Sequence, residues 1–261
     1  MTVETHVADA VERVDAEREW IERRLRAVDR FESAVRDIDP ASEPSGGMAG
    51  PMTDGGVTAA LGGGAASPDL CAEVREAFAE TVHPTAEGAP PLGEALRDEL
   101  GEGVALALSP ESAHRFTPPV KESVLTAVGK RRAQLRAFRR VLSLEAESLD
   151  AAAGEVEAIT GWLAAADETP LLDLGFDELQ ERHERLAAFR ETCAERSQQR
   201  QATLARTISD GGAAAVEHKS VVESLYEEFP TTYPVLLTVA KLDRICADAQ
   251  EAVRDHITRR V

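Results

Sequence analysis

Aromatic residues are scarce in this 261-residue chain. Phe, Tyr and Trp make up 4% of it, while hydrophobic residues of all kinds reach 43%. Ala, Val and Leu must therefore fill the interior, which favours close-packed helices over a sandwich or barrel of aromatic-rich strands. Lysine is almost missing too. Arginine supplies 25 of the 29 basic residues, against 47 Asp and Glu, for a net charge of -18. Excess carboxylate with little lysine suits a surface kept hydrated in molar salt; an ordinary acidic protein is the plainer alternative. Net charge speaks to solubility and not to fold. It does argue against nucleic acid bound along the whole length of the chain. Cysteine is sparse: Cys71, Cys193 and Cys246 stand far apart, with no CxxC. That excludes a disulfide scaffold and a cysteine zinc site, and a reducing cytoplasm is the expected setting. No apolar run approaches the roughly 20 residues that a membrane span needs. The opening MTVETHVADAVERVDAERE is too charged for a signal peptide, so a soluble protein is expected.

What the chain does have is repetition by seven. Val7, Val14, Ile21, Val28 and Val35 recur at that spacing. Val3, Ala10, Phe31 and Ile38 fill the position three residues later, where Glu17 and Arg24 interrupt. This spacing predicts a helix over residues 1–38 with a coiled-coil seam, ended by Asp39-Pro40. Residues 39–69 lose the pattern and carry eight glycines between Gly46 and Gly64, the composition of a flexible linker. Residues 70–261 read as a helical bundle domain. Short helices are expected from Asp69 to His83 and from Leu92 to Leu100. The stretch GEGVALALSP, residues 101–110, fits either a helical turn or a short strand. Thr117-Pro118-Pro119 opens the longest element, with Thr117 as cap. Its seam runs Val128, Leu135, Leu142, Leu149, Val156, Leu163, with Arg131 and Glu145 as polar breaks in the companion row. At 1.5 Å per residue it spans roughly 75 Å. A third long helix is expected after a cap at Asp177, a shorter one from Val216 to Phe229, and a final one capped by Thr232. In that final helix Leu242, Ile245, Ala249, Ala252, Val253, His256 and Ile257 form one packing stripe, with Cys246 at its edge. Trp162 and Phe176 flank a connection, DETPLLDLGF, that reads as ordered and packed.

Few motifs point to chemistry. Glu-x-x-His occurs twice, as Glu80 with His83 and Glu111 with His114. Such pairs hold di-iron in four-helix bundles, but His83 abuts Pro84 and the second pair sits in a proline-flanked stretch. A metal-dependent enzyme is thus a remote alternative, and two surface pairs are the expectation. No GxSxG, HExxH or catalytic cysteine pattern is present, and His183 falls on an apolar stripe as core histidines do. No cofactor, metal ligand or catalytic residue is expected. The strongest charge signal is KRRAQLRAFRR: Lys130, Arg131, Arg132, Arg136, Arg139 and Arg140. It could track phosphates. The favoured expectation is that it pairs with the acidic rows of the first helix, such as Glu4, Glu12, Asp15, Glu19 and Glu22, as charged flanks do in coiled coils; an outside protein is the other alternative.

Several stretches carry a resemblance: REAFAETVHP, GVALALSP, RFTPPVKESVL, WLAAADETPLLDLGFDELQERHERLAAFRETC, VVESLYEEFP and YPVLLTVAKLDRICADAQEAVRDHITRRV. Through these, over nearly its whole length, the chain resembles an uncharacterised family of helical, coiled-coil proteins of halophilic archaea. The resemblance implies a helical fold and a salt-adapted cytoplasm, and brings no activity or site residue. The expectation is therefore an all-α protein of long antiparallel helices, forming a helical bundle with coiled-coil seams. The two seamed helices should pack together, within one chain or across a homodimer. Its expected role is protein interaction or scaffolding, with a protein partner or self-association through the seams. Nucleic-acid binding through Lys130 to Arg140 is the alternative.

Overall fold

Proline, glycine and short polar side chains decide where the helices begin and end. The computed structural model describes residues 5–41, 69–83, 90–112, 114–208 and 215–259. Among them eight α-helices run in the order α1 (Val7–Asp37), α2 (Leu70–Thr81), α3 (Leu92–Leu100), α4 (Glu102–Ala107), α5 (Pro118–Asp167), α6 (Phe176–Leu204), α7 (His218–Leu225) and α8 (Pro234–Arg259). The protein is an all-α bundle. Most of the expected linker, including its glycine run, lies outside the described residues.

Asp69 caps α2 by accepting from the Ala72 backbone N–H at 3.0 Å. Pro118 opens α5, and Lys121 N–H donates to the Thr117 carbonyl at 2.9 Å. The ambiguous stretch after residue 100 is helical. Gly101 has φ +88° and ψ 161°, a conformation reserved for glycine, and it lets α4 restart at once where α3 stops. Three boundaries differ from expectation: the start of α6, the extent of α7 and the start of α8. Gly175, not Asp177, precedes α6, and its N–H donates to Glu178 Oε2 at 2.6 Å. α6 ends at Leu204; Thr207–Ile208 then pairs antiparallel with Val216–Glu217 as a two-residue hairpin. α7 is shorter than its apolar pattern, stopping at Leu225. α8 starts at Pro234, where proline suits the first turn, so Tyr233 and not Thr232 supplies its first carbonyl, to Leu237 N–H at 3.1 Å.

Packing divides the chain into two compact units, Met1–Glu22 with Arg136–Val261, and Arg23–Leu135. In the second unit, Phe31 and Phe78 meet edge to face at 5.3 Å amid buried Val28, Val35, Leu96, Leu108, Phe116 and Val128. Within it, α1 and α5 lie antiparallel in one chain. Lys121 Nζ donates to the carbonyls of Arg36 and Ile38, at 2.7 and 2.8 Å, capping the end of α1 with a cation. Further along α5, Arg132 pairs with Glu32. In the first unit, α6 lies antiparallel to α8: Arg190 Nε donates to Asp243 at 3.0 Å, and Gln250 Nε2 to the His183 carbonyl at 3.3 Å. It also runs antiparallel to α5, through Arg196 on Glu155 at 2.7 Å and the Trp162–Phe189 ring pair at 5.4 Å.

The seven-residue rows are interior rows. Val7, Val14, Ile21, Val28 and Val35 are all buried, as are Val128, Leu135, Leu142, Leu149 and Val156. Leu163, the last member, keeps part of its surface open.

Candidate interaction site

The basic stretch of α5 is largely engaged inside the protein. Arg131 donates to Glu99 from Nε at 2.8 Å and from Nη2 at 3.2 Å, and Arg24 meets the same carboxylate. Arg132 binds Glu32, which Arg36 also contacts, and lies 3.7 Å from Asp29. Arg139 reaches Glu22 at 3.2 Å. Pairing with the first helix thus occurs, through Glu22 as expected and through Asp29 and Glu32, with Glu99 of α3 added. Lys130 and Arg136 are exposed and form no ion pair among the described residues, while Arg140 is exposed but not free of contacts.

The Glu-x-x-His pairs do not come together. Glu80 sits on α2, where His83 Nε2 bonds the Pro90 carbonyl at 2.8 Å. Glu111 and His114 lie in the turn after α4, off any helix. No group of three or more His, Cys, Asp or Glu converges as a metal site among the described residues. His183 is half-buried between α6 and α8 against Gln250. Cys246, toward the edge of the α8 stripe, is fully buried.

One buried polar centre has a partial sequence signal. Glu145, on α5, is 0% exposed together with Arg200 of α6, His218 of α7 and Tyr226 just beyond α7. Arg200 grips the carboxylate with Nη1 on Oε2 at 2.6 Å and Nη2 on Oε1 at 2.7 Å. His218 Nε2 donates to Oε2 at 2.8 Å, and the Tyr226 hydroxyl to Oε1 at 2.9 Å. Burial by itself would raise the Glu145 pKa. The hydrogen bonds from His218, Arg200 and Tyr226 and the Arg200 charge more than offset that, and hold it down to about 2. Tyr226 moves the other way, pushed well up by burial and by the neighbouring carboxylate. The carboxylate has all its lone pairs in use and no solvent contact, so it offers little to a substrate. It ties three elements of this unit to one point. The signal was the polar break that Glu145 makes in an apolar row; its partners carried no signal, since Arg200 lies in a stretch that reads as polar all round.

The open feature of the same unit is a groove of about 480 Å³ between the end of α5, the Leu171–Asp173 turn and α8. Trp162, Leu163, Ala166, Leu171, Ile245 and Ala249 line it and keep part of their surface exposed. Leu172 (75% exposed) and Phe176 (50%) stand on the connection beside it. The connection carries the Leu171–Asp173 turn, and these two side chains are more exposed than the packed connection that the sequence suggests. The α8 stripe is divided. Leu242 and Cys246 are buried outside the groove lining, Val253 is buried and lines it, and Ile245, Ala249 and Ala252 line it with part of their surface exposed. Arg182 Nη1 donates to the Thr169 carbonyl at 3.2 Å, and Asp167 and Asp248 sit in the lining.

Fold and site together define an all-α bundle with a mostly apolar groove open among the described residues. Residues 5–250 match the family described as a domain of unknown function, DUF7260, and the chain belongs to that family. No curated protein and no solved structure matches it. Among the described residues no helix is long and apolar enough to cross a membrane.

Proposed function

We propose that this chain is a protein-interaction module of a salt-adapted cytoplasm, acting by binding rather than catalysis. The observation that carries this reading is the groove, where apolar side chains of α5 and α8 stay open to solvent beside exposed Leu172 and Phe176. Isolated exposed apolar residues are ordinary; a contiguous apolar depression marks an interaction site. The engagement of Arg131, Arg132 and Arg139 by internal carboxylates weighs against phosphate tracking. The salt-adapted setting is supported by 47 acidic residues against 29 basic ones, nearly all arginine. Burial of both seven-residue rows supports coiled-coil packing of α1 on α5 as part of the same reading.

The test is a pull-down of the tagged full chain at molar salt, scored for co-purifying protein and for absorbance at 260 nm. A stoichiometric protein without nuclease-sensitive absorbance is the expected result. A 260 nm peak removed by nuclease, with no protein retained, overturns the reading in favour of nucleic-acid binding.

A further inference from the structure

We infer that the groove receives an amphipathic helix of a partner protein, apolar along one face and rich in Lys and Arg along its flanks. The inference rests on the interaction reading and names the partner's chemistry.

The shape comes from two apolar rows. Ile245, Ala249 and Ala252 follow one another by four and three residues on α8, so they stand in line along nearly two turns. Leu163 and Ala166 line the groove from α5, and Leu163 continues the seven-residue row whose earlier members, Val128 to Val156, are buried. Two parallel helical rows with a trough between them match a third helix presenting side chains at i, i+3, i+4 and i+7. The alanines let its backbone come close. The cavity, about 480 Å³, lies in the range of built binding sites.

The charge comes from the rim. Asp248 lies in the lining and is exposed, as are Glu168 and Asp173 on the adjoining connection; Asp167 also lies in the lining but is already engaged. Arg182 is the one basic lining residue, and its guanidinium already donates to the Thr169 carbonyl. Acidic flanks on an incoming helix would meet like charge, whereas basic flanks would be steered and held. A second copy of this chain, at net charge -18, is the poorer fit. In molar salt the screening length falls to about 3 Å, so only direct contacts with the rim contribute and their effect is weakened.

The test uses the full chain and a display library of helical peptides. Leucines are fixed along one peptide face and the flanking positions are randomised. Selection is done at the lowest salt that preserves the helical circular dichroism. Enrichment of Lys and Arg on the flanks is expected, and Asp248→Lys should shift the selected flanks toward Glu and Asp. Ala252→Arg, at an exposed position, should weaken the selected peptides by at least about 30-fold, because an unpaired charge would be buried under the apolar face; Ala249→Arg is the second variant. No enrichment, acidic or unbiased flanks, or binding unmoved by both variants overturns the inference. A dimer abolished by Ala252→Arg, seen without peptide enrichment, overturns it in favour of self-association. The two readings separate in the pull-down. A protein partner still retained by both arginine variants removes the groove and leaves the interaction module standing. No protein partner at all removes both.

Discussion

Glu145→Gln is the sharpest perturbation available to this structure. The glutamine has nearly the same shape, so the core need not repack. The change leaves the Arg200 charge buried and uncompensated, and it weakens the acceptors that His218 and Tyr226 use. Breaking a fully buried ion pair from one side costs about 3–5 kcal/mol. At 2–4 °C per kcal/mol for a chain of this size, Tm should fall by roughly 10 °C. The assay is thermal and urea denaturation followed by circular dichroism. The double variant Glu145→Leu with Arg200→Leu has no stranded charge, and it should recover most of the loss. Because both partners are 0% exposed, the deficit should be nearly the same in moderate and molar salt. A Glu145→Gln chain within about 1 kcal/mol of the parent, or a double variant no better than the single, refutes the view that this centre carries stability.

Acid titration gives an independent measure of the same group. Its pKa is held to about 2, against an ordinary 4.5. A depressed carboxylate contributes stability that is fully present above pH 4.5 and is lost as pH falls from there toward 2. That difference corresponds to roughly 3 kcal/mol, and Glu145→Gln should remove this segment of the acid stability profile.

Other expectations follow from the same structure. Gly101→Ala should cost about 1–3 kcal/mol in urea denaturation, from backbone conformation alone, since an added Cβ would meet nothing within 4 Å; a neutral result would show that the α3–α4 joint relaxes freely. Arg132→Ala should destabilise more than Arg139→Ala. The first leaves Glu32 buried with only the exposed Arg36, whereas Arg139 and Glu22 are both nearly half exposed, worth at most about 0.5 kcal/mol; equal effects would contradict this ranking. Burial pushes the Cys193 thiol up to about 12 and Cys246 to about 11, so both should resist thiol reagents at pH 8 until denaturant is added. Rapid labelling of the native chain at either residue would contradict their burial.

The helical class and the interior rows were legible in the sequence, because a repeat of seven constrains which side of a helix is covered. Val7 to Val35 and Val128 to Val156 are buried as their spacing required. Boundaries were less legible where tertiary bonds decided them. Thr207 and Ile208 carry strand-forming side chains, yet their pairing depends on Val216 and Glu217 beyond a glycine-rich break. The polar breaks in the rows were informative in a way that periodicity alone does not express. Arg24, Arg131 and Glu145 each interrupt an apolar row, and each is held in an ion pair: the two arginines on Glu99, the carboxylate on Arg200. A charge at an interior position forecasts a partner, because leaving it unpaired would cost too much. It does not say where the partner is, since Glu99 and Arg200 come from helices distant in sequence.

The groove escaped notice for the opposite reason. The α8 stripe looked like one packing face because its apolar arc is continuous in sequence. Its buried residues and its groove-bordering residues differ in no property except the neighbour they meet. A helix whose apolar arc is wider than one partner helix can cover must either meet a second partner or leave a strip in water. In α8, Leu242, Cys246 and Val253 are buried, Val253 at the wall of the groove, and Ile245, Ala249 and Ala252 line the groove with part of their surface open. The excess width of that arc is therefore the part of the sequence that the fold of the described residues does not account for, and it is the strip on which the proposed partner would sit.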